Sequence, residues 1–209
     1  MRAVLVLLGL LALPAHAQSV GRITSASQPD GGHCSGTLIS PDLVLTAAHC
    51  VAKAEGAGIR VLEGQVFVLP EVGVSAIGRV VLHPGIRPLG TRLSPGQDMA
   101  LAMLDSPLDA APVALAEAGP GGPLSFVSYR REAPEAQVRQ DFCYGSEALP
   151  FWRLGCRVTS GQSGGAVLSG EALVAVIVAR QGGLALALPV DDWVMAAPEA
   201  VGAAEVEKP

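Results

Sequence analysis

Aromatic residues are scarce in this chain, 4% of 209, and charged residues come to only 16%. The formal net charge is −5 and no cluster of lysines or arginines is present. Nothing therefore offers a basic face to nucleic acid, and none is expected as a partner. No apolar run approaches the ~20 residues that cross a bilayer as a helix. Paired cysteines at metal-ligand spacing are missing as well, which speaks against a metal. Long uninterrupted segments are rare, because 25 glycines and 16 prolines punctuate the sequence. That load favours many short strands joined by turns over long helices. Half of the residues are apolar, and a chain of this length buries a sizeable core without depending on disulfides.

Residues 1–17 have the form of an export signal. Arg2 is a minimal positive start, Ala3 to Leu13 is apolar, and Ala15-His16-Ala17 supplies a small-x-small cleavage pattern. The rival reading, a retained membrane anchor, suffers from the short apolar stretch. Cleavage after Ala17 is expected, leaving an exported protein, periplasmic or secreted, with no stable membrane anchor.

What is present in abundance is glycine around one serine. Gly161-Gln162-Ser163-Gly164-Gly165 precedes the apolar run Ala166-Val167-Leu168. A tight turn of this kind can expose a nucleophile, since glycine adopts backbone conformations closed to other residues and lets a substrate chain approach. The amides of Gly161 and Ser163 can then converge on a substrate carbonyl oxygen as an oxyanion hole. By itself a serine in such a turn reads as an ordinary hairpin. Two further stretches change that reading: Val44-Leu45-Thr46-Ala47-Ala48-His49-Cys50, downstream of Cys34-Ser35-Gly36, and Gln97-Asp98-Met99-Ala100-Leu101.

These frames, in the order His49, Asp98, Ser163, closely resemble the chymotrypsin/trypsin-like serine proteases, especially the compact bacterial secreted members and relatives of the glutamyl endopeptidases. The resemblance covers about residues 20–195. It implies an all-β fold of two packed antiparallel β-barrels with a short C-terminal helix. The corresponding divisions are an N-terminal barrel over 18–110, a C-terminal barrel over 111–195 and a flexible tail over 196–209. His49 is then the general base and later the general acid, and Asp98 orients its ring. Ser163 is the nucleophile of an acyl-enzyme pathway, and the resemblance implies no metal or organic cofactor. A neutral imidazole suits the base role because histidine titrates close to neutrality. Four cysteines in an exported chain allow three pairings. Sequence proximity and the resemblance favour Cys34–Cys50 and Cys143–Cys156. Metal binding by Cys50 beside His49 is the weaker alternative.

Along the chain, residues 18–32 read as a polar N-terminal arm. Strands are expected at 37–39, 43–45, 59–69 with a break near Glu63-Gly64, 72–82 and 99–104, with a loop over 84–97. After a Pro-, Ala- and Gly-rich crossing at 106–123, strands are expected at 124–129, 137–144, 173–178 and 184–190, with a hairpin-like excursion over 142–158. Asp191 or Asp192 is a plausible helix cap.

Specificity is carried by the resemblance alone. Trypsin-like members place an aspartate six residues before the nucleophile, where this chain has Arg157. The family's serine-tryptophan-glycine wall aligns with Val178, Ala179 and Arg180, and Thr159 completes the substrate-binding set. A pocket for lysine or arginine is thus not expected. Two readings stay open: the arginines draw an acidic side chain, or they face solvent and the pocket takes small apolar residues. Arg22-Ile23 is similar to a trypsinogen activation site, but that mechanism needs an aspartate where Gln162 stands. Activity is expected to depend on export and disulfide formation instead. A catalytically impaired homologue that binds proteins is the alternative function, given the departures at Gln162 and Ala166. A peptide or protein substrate and a monomer are the default expectations.

Overall fold

The computed structural model describes residues 18–28 and 33–198. The expected export signal at 1–17 and residues 199–209 of the expected tail lie outside these. Among the described residues the first half builds ten strands: β1 (Val20–Ser25), β2 (Cys34–Ser40), β3 (Leu43–Thr46), β4 (Ala52–Glu55), β5 (Gly58–Val61), β6 (Gln65–Leu69), β7 (Gly73–Leu82), β8 (Pro88–Leu89), β9 (Arg92–Leu93) and β10 (Ala100–Leu104). Six of them close a barrel in the order β1-β2-β3-β10-β7-β6, while β4–β5 and β8–β9 stand as separate two-stranded hairpins.

The second half contributes β11 (Leu124–Arg130), β12 (Ala133–Gln140), β13 (Gly145–Ala148), β14 (Phe151–Arg157), β15 (Ala166–Ser169), β16 (Ala172–Gln181) and β17 (Leu184–Pro189), then the single-turn helix α1 (Asp192–Met195). These strands form one antiparallel sheet in the order β12-β11-β15-β16-β17-β14-β13. It curls around its own core, in which Leu124, Phe126, Leu154, Val167 and Ile177 are buried. The larger core fills the first barrel with Phe67, Leu38, Leu45 and Leu101, and continues across the junction to Val176, Leu188 and Val194 of the second half. Fully burying a side chain such as Phe67 or Leu45 contributes about 2–3 kcal/mol. A core shared across the junction therefore holds the two halves in fixed register.

Several expectations need correcting. Residues 18–32 are not merely an arm: Val20–Ser25 is a barrel strand, paired to β2 on one side and β6 on the other. Only Val20 and Ile23 are strongly apolar there, so periodicity misses it. The expected strand at 59–69 is two strands, divided where Gly64 takes a φ of 65°. The 84–97 loop carries the β8–β9 hairpin. The tail cannot begin at 196, because Ala197 is 4% exposed and packs on the core. Asp191 is the cap of α1, its side chain accepting the Val194 N–H at 3.1 Å. His83 of the His-Pro-Gly turn donates from Nε2 to Asp191 Oδ2 at 2.9 Å, since its Nδ1 accepts the Gly85 N–H at 3.0 Å. That bond ties the end of β7 to the C-terminal helix and gives His83 a structural role.

Both disulfides form, Cys34–Cys50 with a Cα separation of 5.8 Å and Cys143–Cys156 with 5.4 Å. Loops of this length contribute about 3 kcal/mol each in the chain-entropy account.

Candidate active site

His49 lies in the short 3-10 turn Ala48–Cys50 that follows β3, with Cys50 tied back to Cys34 at the start of β2. A second 3-10 turn, Pro95–Gln97, delivers Asp98 two residues before β10 begins at Ala100. β10 pairs with β3, Ala100 opposite Thr46, so the ladder itself brings Asp98 alongside His49. The Asp98 carboxylate holds the histidine twice: Oδ2 is 2.5 Å from His49 Nδ1, and Oδ1 accepts the His49 backbone N–H at 2.9 Å. The Asp98 side chain is 7% exposed and that of His49 37%. With Nδ1 committed to the buried carboxylate, Nε2 remains for a substrate-side proton. Double anchorage fixes both ring orientation and tautomer.

Ser163 sits on the turn between β14 and β15, held from both halves. The Ser35 N–H of β2 donates to the Ser163 carbonyl at 2.7 Å, and Ser35 Oγ donates to the Gly161 carbonyl at 3.1 Å. From the second half, the Arg131 N–H donates to the Ser160 carbonyl at 2.9 Å, and the Gly164 N–H to the Ile177 carbonyl at 2.7 Å. The turn requires its glycines. Gly161 and Gly164 have φ of 93° and 80°, and a Cβ on Gly164 would stand 2.0 Å from the Ser35 carbonyl oxygen.

Within this turn the amides of Gln162, Gly164 and Gly165 have acceptors. Those of Gly161 and Ser163 have none among the described residues, and so stay available to an incoming oxygen.

Gln162, fully buried, closes the turn from inside. Its Oε1 accepts the Thr159 N–H at 2.7 Å, and its Nε2 donates to Ser128 Oγ at 2.8 Å. The family's aspartate would put a charge here; this chain has a neutral amide whose donor and acceptor both find partners. Arg22-Ile23 lies in the buried middle of β1, hydrogen-bonded to strands on both sides. That bond is inaccessible to a processing enzyme in the folded protein.

Three cavities surround His49 and Ser163. One of about 140 Å³ is lined by Thr159, Ser163, Ala179 and Arg180, together with Val158 and Ser160. A second, about 440 Å³, runs from His49 and Asp98 to the β4 and β9 hairpins, with Val178 and Ala179 on its far wall. A third, about 390 Å³, extends from His49, Ser163 and Gly161 past the Cys34–Cys50 disulfide to His33 and Arg131. Of the five substrate-binding residues expected from the sequence, Thr159, Ala179 and Arg180 share the small cavity with Ser163, and Val178 lines the neighbouring one. Arg157 lines none of the three. Strand alternation explains this: β14 buries Trp152, Leu154 and Cys156, so Arg157 falls on the exposed face. No motif in the sequence marks Ser160, Lys53, Arg92 or Arg131, and Ser35, which lies in the Cys34-Ser35-Gly36 frame, carries no role there that points to its hold on the serine turn. Among the described residues, one group of side chains has metal-ligand proximity, Cys34, His49 and Cys50. Its two sulfurs are consumed by the disulfide.

Comparison with known proteins places the chain. A family model for the trypsin-like peptidase domain matches residues 34–176. A trypsin of Saccharopolyspora erythraea is 35% identical over 45% of this chain and 40% of its own length. Serine protease 28 of Mus musculus is 32% identical over 39% of this chain and 31% of its own. The matched segments thus span less than half of those relatives. Solved structures agree in fold over nearly the whole chain, at 15% identity. The scabies mite inactivated protease paralogue S-I1 has a TM-score of 0.68, covering 92% of this chain and 96% of its own. Human heparin binding protein has 0.69 with 95% and 96%. Neuropsin, a serine protease expressed in mouse brain, has 0.67 with 91% and 97%. With its barrel and second sheet arranged as in these structures, the chain belongs to the trypsin-like, chymotrypsin-fold serine protease family.

Proposed function

We propose that this protein is an exported serine endopeptidase acting through His49, Asp98 and Ser163. Ser163 Oγ attacks the scissile carbonyl while His49 Nε2 takes its proton. The tetrahedral oxyanion receives the Gly161 and Ser163 N–H groups. His49 then protonates the departing amine, and water, activated by the same histidine, hydrolyses the acyl-enzyme and restores the Ser163 hydroxyl. The observation that carries this reading is the paired hold of Asp98 on His49, at 2.5 Å to the ring and 2.9 Å to the backbone, beside a serine turn with two unused amides.

The residues of 18–110 supply the base and its orienting carboxylate, and those of 111–195 the nucleophile and oxyanion donors. Residues 1–17 direct export, consistent with two disulfides, which persist in oxidising compartments. The residue before the cleaved bond enters the cavity lined by Thr159, Ala179 and Arg180. A single arginine there favours an acidic side chain, and the modest volume, about 140 Å³, also suits small apolar ones. Neither metal nor organic cofactor enters this reaction.

Cleavage-site profiling on a peptide library, beside Ser163→Ala, tests the proposal. Cleavage abolished in the variant supports it, and the residue preceding the cut separates the two specificity readings. Equal silence of both proteins would favour a protein-binding homologue. Equal activity of both would remove Ser163 from the mechanism.

A further inference from the structure

The chain as a whole is acidic, with 14 lysines and arginines against 19 aspartates and glutamates. The cleft reverses that balance. The 440 Å³ cavity has Lys53 and Arg92 in its lining, the 140 Å³ cavity has Arg180, and the 390 Å³ cavity has Arg131. Among the described residues of all three linings the sole carboxylate is Asp98, buried and bound to His49. None of the four cations meets a carboxylate among the described residues, whereas Arg22, Arg60 and Arg139 elsewhere pair with Glu135, Glu55 and Asp141. Glu55, one residue from the Ala54 wall, is thus already neutralised by Arg60. Glu132, at the rim, accepts from Thr159 Oγ1 at 3.3 Å and offsets part of the field near Arg180.

The three cavities are contiguous. The small one shares Ala179 with the 440 Å³ cavity and Ser160 and Ser163 with the 390 Å³ cavity. A peptide seated with one side chain beside Arg180 therefore passes Lys53 and Arg92 on one flank and Arg131 on the other.

We infer that the substrates are acidic peptides, bearing aspartate or glutamate on both sides of the residue held beside Arg180. This rests on the endopeptidase reading above and extends it from one pocket to the whole cleft. The apolar floor of the larger cavity, Ala52, Ala54, Leu93 and Val178, packs the stem of such a side chain while the cations at its rim meet the carboxylate. Opposite charges in a solvent-lined cleft steer encounter and select partners, and salt screens them.

The experiment measures binding separately from cleavage. Two labelled peptides, identical except for glutamate or glutamine at the flanking positions, are titrated into the Ser163→Ala protein by fluorescence anisotropy. Each exposed charge pair contributes roughly two- to fivefold. The glutamate peptide should bind about tenfold tighter at low ionic strength, with the margin shrinking to about twofold or less near 0.5 M salt. Replacing Lys53, Arg92 and Arg131 together by glutamine should bring the ratio of affinities close to one. Equal binding at low salt, or a preference that survives the triple substitution, overturns the inference. The wild-type enzyme is then assayed on both peptides. Equal binding with cleavage of both leaves the endopeptidase reading standing without the acidic preference. Acid-selective binding with no cleavage of either peptide keeps the cationic cleft and removes the enzyme.

Discussion

Gln162 Oε1 accepts the backbone N–H of Thr159 at 2.7 Å, closing the turn that carries Ser163 upon itself. Ser128 Oγ takes the other end of the same side chain. The turn is thus held by a neutral amide whose donor and acceptor are both satisfied within the second half. Gln162→Ala leaves the Thr159 N–H and the Ser128 hydroxyl unsatisfied in a buried site, at a stability cost on the order of 3 kcal/mol. Misplacement of the turn should lower kcat about 10²-fold. Gln162→Glu is the sharper probe. Burial without a cation raises the introduced carboxyl's pKa, so the variant's activity relative to wild type should fall as pH rises. A ratio independent of pH would mean that the side chain does not govern the turn.

Asp98 performs two tasks, orienting the His49 ring and anchoring its backbone N–H. Asp98→Asn keeps the shape but lets an amide N–H face Nδ1, which selects the wrong tautomer. The expected loss in kcat is about 10⁴ with little change in KM. Thermal unfolding of the variant checks that the turn survives. A loss confined to KM would contradict the orienting role.

Gly164 stands where no other residue fits. A Cβ there would meet the Ser35 carbonyl oxygen and, at 2.3 Å, Thr46 Oγ1 of the first barrel. Gly164→Ala should therefore cost at least about 3 kcal/mol and separate the serine turn from β2. Gly170 is the control: its φ is 61° but nothing lies within 4 Å of an added Cβ, so Gly170→Ala should cost only about 1–2 kcal/mol. Similar losses at the two sites would show that the close approach at Gly164 is unimportant. Chemical denaturation of both variants measures the difference.

The strands are legible where hydrophobicity runs or alternates, as in Leu43–Leu45 and Leu173–Val178, and the bridge partners through sequence proximity together with the family resemblance. Val20–Ser25 is not, because Gly21, Arg22 and Thr24 mask a strand that tertiary pairing alone stabilises. The location of the candidate site is legible through the family resemblance that the frames of His49, Asp98 and Ser163 carry together, since each frame alone reads as an ordinary turn or cap. Its lining is not legible. Counting residues aligns Arg157 to a pocket, but the alternation of β14 turns its side chain outward. Lys53 and Arg92 on one flank and Arg131 on the other reach the cleft only through the packing of hairpins from both halves, which no local pattern encodes.

Burial pushes the Tyr129 phenol above its ordinary value, with a partly opposing hydrogen bond from Gln137. The folded protein therefore holds that proton after the unfolded chain has released it. The stability this contributes is fully present below the unfolded pKa, near 10, and is lost as pH rises through the higher folded value. Tyr129→Phe should flatten the fall in stability above about pH 10. The difference between wild-type and variant absorbance titrations at 295 nm isolates the group, and a midpoint at or below about 10 would contradict the raised value.

The central claim is that Ser163 is a nucleophile activated by His49, and reaction with a fluorophosphonate followed by intact-mass and peptide analysis tests it most directly. The account predicts one adduct per chain, on Ser163, absent in Ser163→Ala. His49→Ala should slow its formation on the order of 10⁴-fold or more. Unreactive wild-type protein, or labelling that proceeds equally fast without His49, would contradict it.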